Sequence, residues 1–151
     1  MEHVTQNEVK DMLSSAMAAY RRYKTKYDEL EVFRQQLAVK PLGGGDGAGS
    51  STKLNSTELG YIQLIALEDK QSTLYTEWLL ARDRVADIIN KCPVEKAAAV
   101  LTYRYLNGAK FEDIAEALGL GVRHVFRLHK SGIKTLSVIL GNDVIECQYD
   151  I

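Results

Sequence analysis

Within a chain of 151 residues, the segment Phe111 to Leu136, FEDIAEALGLGVRHVFRLHKSGIKTL, leaves the fewest choices of fold. Ile114, Leu118, Leu120, Val125 and Leu128 fall at helical spacing on either side of Gly119, so two helices must bury apolar surface against each other. Ala115 stands where the second helix crosses the first, and a larger side chain there would hold the helices apart. Gly119 falls where the first helix ends and the chain turns, a position that usually requires φ > 0 and so favours glycine. The segment therefore reads as two helices joined by a three-residue turn.

A purely structural helical pair would show the same spacing, so the charges decide between packing and binding. From Val122 to Leu136 the sequence holds Arg123, Arg127, Lys130 and Lys134 and no acidic residue, whereas the preceding helix carries Glu112, Asp113 and Glu116. A packing helix usually mixes signs on its solvated face, while a helix that enters the major groove must approach a dense row of phosphates. The second helix, 122–136, is thus expected to be a DNA-recognition helix. With Val125 and Leu128 buried, Arg123 and Arg127 point outward as candidate readers of guanine edges. Lys130 and Lys134 are candidate phosphate contacts. His124, in the N-terminal half of the helix, is favoured as a DNA contact, and His129 as a satisfied packing histidine.

Composition bounds the remainder. The length suffices for one domain or two small ones with a core that needs neither disulfide nor metal. Helix formers dominate, and the two prolines, Pro41 and Pro93, stand at element boundaries, which gives an all-α fold. The net charge of −1 hides a polar distribution. Residues 93–136 carry seven Lys/Arg against four Asp/Glu, while 141–151 hold three acids and no base and read as an acidic tail. Cys92 and Cys147 lack metal-ligand spacing, the N-terminus lacks the basic and apolar regions of a signal peptide, and no window is apolar enough for a membrane span. These features imply a reduced, cytoplasmic protein with no membrane partner.

Along the chain, Leu13, Ala16, Tyr20, Tyr23, Tyr27, Leu30 and Leu37 follow a 3,4 spacing interrupted by Arg34, which predicts one long helix over about 6–38. Its tyrosines are expected to be core rather than stacking platforms for bases, and the cluster Arg21, Arg22, Lys24 and Lys26, mixed with Asp28, Glu29 and Glu31, a solvated face. Residues 40–57, rich in Gly and Ser, read as a flexible linker. Ser50 stands where a phosphate-binding loop needs lysine, so the glycines there do not indicate a nucleotide site.

Ser56 and Thr57 are candidate caps for a second helix over about 57–91, with Leu64, Leu67, Leu74, Trp78, Ala81, Val85 and Ile88 on one stripe. Two helices of this length joined by a slack connection fold back most simply as a long antiparallel hairpin spanning 1–92. Phe33, Tyr61, Ile62 and Ile65 fall outside both stripes and leave apolar surface for a second copy, so a homodimer through the hairpin is expected. Pro93 suits the first turn of a third helix, Val94 to Leu106, which supplies Ala97, Val100, Leu101 and Leu106 to a three-helix domain over 93–140 and closes at Asn107-Gly108. On it, Arg104 is placed either to reach a phosphate or to pair with the helix dipole.

The stretch LTYRYLNGAKFEDIAEALGLGVRHVFRLHKSGIKTL resembles region 4 of bacterial sigma factors: an Arg-Tyr-x-x-Gly, then an E-[IL]-A-x-x-L-G segment, then a basic helix ending in leucine. Residues 123–129 and the long N-terminal helices are similar to small phage-encoded regulators of the ArpU and RinA type. The resemblance implies a phage or prophage transcription regulator in the host cytoplasm that binds promoter double-stranded DNA and has RNA polymerase as a further partner. The chain departs from the pattern at Gly121, where Ser or Thr commonly caps the recognition helix, and it lacks the other sigma regions. An alternative is a small terminase subunit, which also joins such a motif to long oligomerising helices. No enzymatic constellation and no cofactor or metal site is expected, since His124 and His129 are five apart and no thiolate or carboxylate completes a site with them.

Overall fold

The computed structural model describes residues 3–39 and 56–149, and all of its regular structure is helical, with no strand among the described residues. Helix α1 spans Gln6–Val39 and α2 spans Ser56–Asn90. Helix α3 covers Glu95–Leu101 and runs on into a π-helical turn, Thr102–Leu106. Helices α4, Phe111–Leu118, and α5, Val122–Tyr149, complete the chain. Of the expected linker, Ser56 and Thr57 open α2, and 40–55 lie outside the described residues. Among the described residues no helix is long and apolar enough to cross a membrane.

Local chemistry sets several of these boundaries. The start of α1 is a capping box: Thr5 Oγ1 accepts from the Glu8 amide at 3.2 Å, and the Glu8 carboxylate accepts from the Thr5 amide at 2.6 Å. Those bonds to its charged form hold the Glu8 carboxyl below its usual pKa. At the far end of α2 the Lys91 and Cys92 amides donate to Ile88 and Ile89 carbonyls at 3.1 and 2.9 Å, tightening the last turn before Pro93. The expected start of the third helix at Pro93-Val94 is corrected here. Val94 is extended, with φ −92 and ψ 109, and the helix begins at Glu95. The single helix expected over Val94–Leu106 also changes character at Thr102, where its last turn becomes π-helical.

The described residues form two compact units, one comprising those up to Ala19 and from Trp78 onward, the other Tyr20–Glu77. The division therefore does not fall at the expected 92/93 boundary. Within the first unit, Val9, Leu13 and Ala16 of α1 and Val85 and Ile89 of α2 share one buried cluster with Ala97, Leu101, Ile133 and Leu136. Segments α3–α5 alone would leave Leu101, Ile133 and Leu136 facing water. Burying three such side chains favours folding by about 1.5–3 kcal/mol each, which accounts for the recruitment of the helix ends. Helix α5 packs on α3 through Gly132, where an added Cβ would lie 3.0 Å from Leu101 Cδ1 and 3.4 Å from Ala97 Cβ. The acidic segment expected as a tail from 141 is helical as far as Tyr149, and Asp143 pairs with Lys91 at 2.6 Å. Trp78 is half-buried.

Within the second unit, Tyr23 meets Tyr75 at 5.3 Å between ring centroids, Arg34 meets Glu68 at 3.0 Å, and Leu37 reaches Gly60. The partners descend along α2 as they ascend along α1, so these two stretches run antiparallel. Leu30 is fully buried there, but Tyr20 and Tyr23 are half-buried and Tyr27 is exposed. The tyrosines thus form an aromatic ladder on the unit's surface rather than its core, with Tyr20–Tyr23 and Tyr23–Tyr27 centroids 6.4 and 6.1 Å apart.

Candidate nucleic-acid interface

Helices α4 and α5 meet through a small core. Ile114, Ala115 and Val125 are buried together with Val100 of α3, and Leu118, Leu120 and Leu128 pack around them. Ala115, only 5% exposed, occupies the crossing where its small size was expected to matter. The turn is a Schellman-type termination: the Leu120 amide donates to Ala115 O at 2.9 Å and the Gly119 amide to Glu116 O at 3.3 Å. Gly119 takes φ +66, the left-handed conformation that a Cβ disfavours. Helix α5 then starts at Val122, its first turn closed by the Val125 amide donating to Gly121 O at 3.1 Å.

This packing fixes which side of α5 faces outward. Val125, Leu128, His129, Gly132, Ile133 and Leu136 lie on the inner side, buried or half-buried. Arg123, Arg127, Lys130 and Lys134 are exposed and follow at intervals of four, three and four, which places them in one row along the helix. None of them forms a salt bridge among the described residues, and no acidic side chain interrupts the row. Four cations on one rigid helix face, uncompensated from within, form a surface suited to a regularly charged polyanion. His124 is also exposed, on the flank of the row.

Arg104 stands apart from this row. Half-buried, its Nη1 donates to Ala109 O at 3.1 Å and its guanidinium lies 4.4 Å from the Phe111 ring centroid. It thereby braces the turn between the π-helical segment and α4. Gly108, at φ +67, provides the left-handed residue in that turn, as its glycine cap was expected to. Phe111 in turn lies 4.5 Å from Phe126 and edge-on to His129 at 5.2 Å.

His129 is the packing histidine that its position implied. Its Nε2 lies 2.8 Å from the Tyr105 hydroxyl, and the two rings stack at 5.6 Å. Burial, with Lys10 and Arg104 nearby, pushes its pKa down to about 4, so at neutral pH the ring is uncharged while its Nε2 shares a hydrogen bond with the Tyr105 hydroxyl. Burial correspondingly raises the Tyr105 phenol. His124 and His129 do not converge on a common site.

The structure thus brings Arg123, Arg127, Lys130 and Lys134 together and leaves Arg104 to a different neighbourhood. Sequence reasoning missed Phe126, 48% exposed beside the basic row, and Val122, 37% exposed one turn before it. For Phe126 the signal was present, because it falls off the i, i+3, i+4 stripe of Val125 and Leu128; Val122, three residues before Val125, falls on that stripe but lies exposed in the first turn of α5. No family model, no curated protein and no solved structure matches this chain.

Proposed function

We propose that this chain is a sequence-specific DNA-binding protein, with α4 and α5 as a helix-turn-helix and α5 in the major groove. The observation that carries this reading is the unpaired row Arg123, Arg127, Lys130 and Lys134 on the face of α5 opposite the core. Arg123 and Arg127 read base edges, Lys130 and Lys134 hold phosphates, and His124 borders the contact. Arg104 acts behind the interface by holding the turn before α4. In particular, the chain is a phage or prophage transcription regulator of the sigma-region-4-like kind, on the strength of the motif resemblance together with this geometry. It performs no catalysis, and RNA polymerase is its second partner.

On this reading the all-helical chain is organised as a long antiparallel hairpin of α1 and α2 whose ends join the core beneath the helix-turn-helix of α3–α5. Tyr61, Ile62 and Ile65 are each more than half exposed on α2, and Val32 on α1. This apolar surface supports a homodimer through the hairpin, which would set two recognition helices on an inverted repeat. Selection of duplexes from a randomised pool, with light scattering on the purified chain, tests both points. A dimer enriching one promoter-like inverted repeat supports the regulator. A ring of many copies would instead identify a terminase-like packaging subunit, and a monomer on a single asymmetric site would leave the polymerase-tethered mechanism without the dimer.

A further inference from the structure

Phe126 is a large apolar ring on a face that otherwise carries cations. It follows Arg123 by three residues and precedes Lys130 by four, and Val122 lies four residues before it, so an apolar strip borders the basic row. Its inner side is fixed. Phe111 packs against it, tilted, at a centroid distance of 4.5 Å and 33° between planes, and Phe111 is itself held by Arg104 at 4.4 Å and His129 at 5.2 Å. The outer side of the ring, 48% exposed overall, faces solvent in a set orientation.

An apolar surface held among cations on a groove-facing helix can be matched by few partners. In the major groove, guanine, adenine and cytosine present hydrogen-bonding edges, and the 5-methyl of thymine is the apolar feature. A phenyl ring against any of the other edges would strip water from a donor or acceptor without replacing its hydrogen bond. A protein partner would have to cover the unpaired arginines and lysines along with a strip of two apolar residues, which is small for a protein contact. We propose, as a deepening of the DNA-binding reading above, that Phe126 with Val122 beside it contacts the 5-methyl of a thymine, so that the preferred duplex carries an A·T pair next to the bases read by Arg123 and Arg127.

The test uses the full chain and a duplex enriched by it from a randomised pool, with each thymine replaced in turn by uracil, which removes the methyl alone. At one position the wild type loses about fourfold in affinity, the ratio expected for one buried methyl group. F126A binds the thymine and uracil duplexes equally, while F126L keeps a reduced preference for thymine, and thermal melting of both variants verifies that they are folded. If the wild type binds the enriched duplex but no uracil replacement matters, or F126A discriminates as the wild type does, the thymine contact is wrong. Loss of RNA polymerase binding in F126A with unchanged DNA discrimination would assign the ring to a protein partner and overturn the inference. Failure to enrich any duplex would instead overturn the DNA-binding reading on which it rests.

Discussion

Two groups of four cations occur in this chain, and they are arranged in opposite ways. In α1, Arg21, Arg22, Lys24 and Lys26 are followed by the acids Asp28, Glu29 and Glu31: Lys24 pairs with Asp28 at 2.8 Å and Lys26 with Glu29 at 2.7 Å, each within one helical turn. Lys24 also lies 5.2 Å from the Tyr27 ring centroid. In α5, Arg123, Arg127, Lys130 and Lys134 follow one row and pair with no carboxylate among the described residues. Equal cation counts therefore carry different meanings. In the first group Lys24 and Lys26 each meet a carboxylate of their own helix, while Arg21 and Arg22 pair with none among the described residues. The second leaves its charge directed outward, uncompensated by any carboxylate among the described residues.

The largest effect on this contrast should come from beneath the row rather than from it. Ile133 is fully buried in the core on which α5 sits. Ile133→Ala should cost about 2–5 kcal/mol and release the helix that presents the row, seen as a lowered melting midpoint by circular dichroism together with loss of DNA binding. A variant that melts like the wild type would show that α5 is held by something other than this core. Gly132→Leu should act at the same helix packing, because even a Cβ at this position lies 3.0 Å from Leu101 Cδ1. The expected cost is about 1–3 kcal/mol by the same melting measurement.

Next in size is the division of labour within the row. Lys130→Ala with Lys134→Ala should weaken binding to all duplexes alike and reduce the slope of log affinity against log salt by about two, one for each phosphate that is no longer neutralised. Titrations at several salt concentrations measure this directly. The matching change in the other group, Lys24→Ala with Lys26→Ala, should leave both affinity and slope as they are. A slope change there would remove the contrast between the groups.

How much of this contrast is legible in the sequence follows from what sets each part. The turn at Gly119, the crossing at Ala115 and the outward direction of Arg123, Arg127, Lys130 and Lys134 follow from periodicity and from the left-handed conformation that glycine adopts without a Cβ penalty, so local spacing suffices. The role of Arg104 is not readable, because it depends on a π-helical turn that brings its guanidinium over Phe111. Nor is the division between units. Val9, Leu13, Val85 and Ile89 carry the same helical stripe whether they pack on a neighbouring helix or on α3 and α5, and only tertiary packing distinguishes the two. The tyrosines of α1 show the reverse error: heptad spacing suggests a core, but their rings meet each other and Tyr75 at a half-exposed surface.

A smaller and more specific effect concerns pH. In the folded chain the His129 pKa is about 4, against the ordinary histidine value of 6.5 that the unfolded chain approaches. Between those values the unfolded state binds more protons, so His129 contributes stability that is present above about pH 6.5 and is lost as pH falls toward 4. Melting midpoints should therefore fall across this window, and the fall should be shallower in His129→Phe. The Glu8 carboxyl, lowered by Thr5, acts with the same sign, so the comparison is between variant and wild type rather than with a flat line. Identical pH profiles would show that the Tyr105–His129 pair does not hold a neutral imidazole.

The central claim, that the outward row of α5 reads DNA, is tested most directly by the affinity of Arg123→Ala/Arg127→Ala for the duplex enriched by the wild type. Fluorescence anisotropy at fixed salt should show a loss of about 1–3 kcal/mol for each guanine no longer read, with relaxed preference at the corresponding base positions and an unchanged circular dichroism spectrum. Equal affinity of the wild type and the double variant, with both folded, would contradict it.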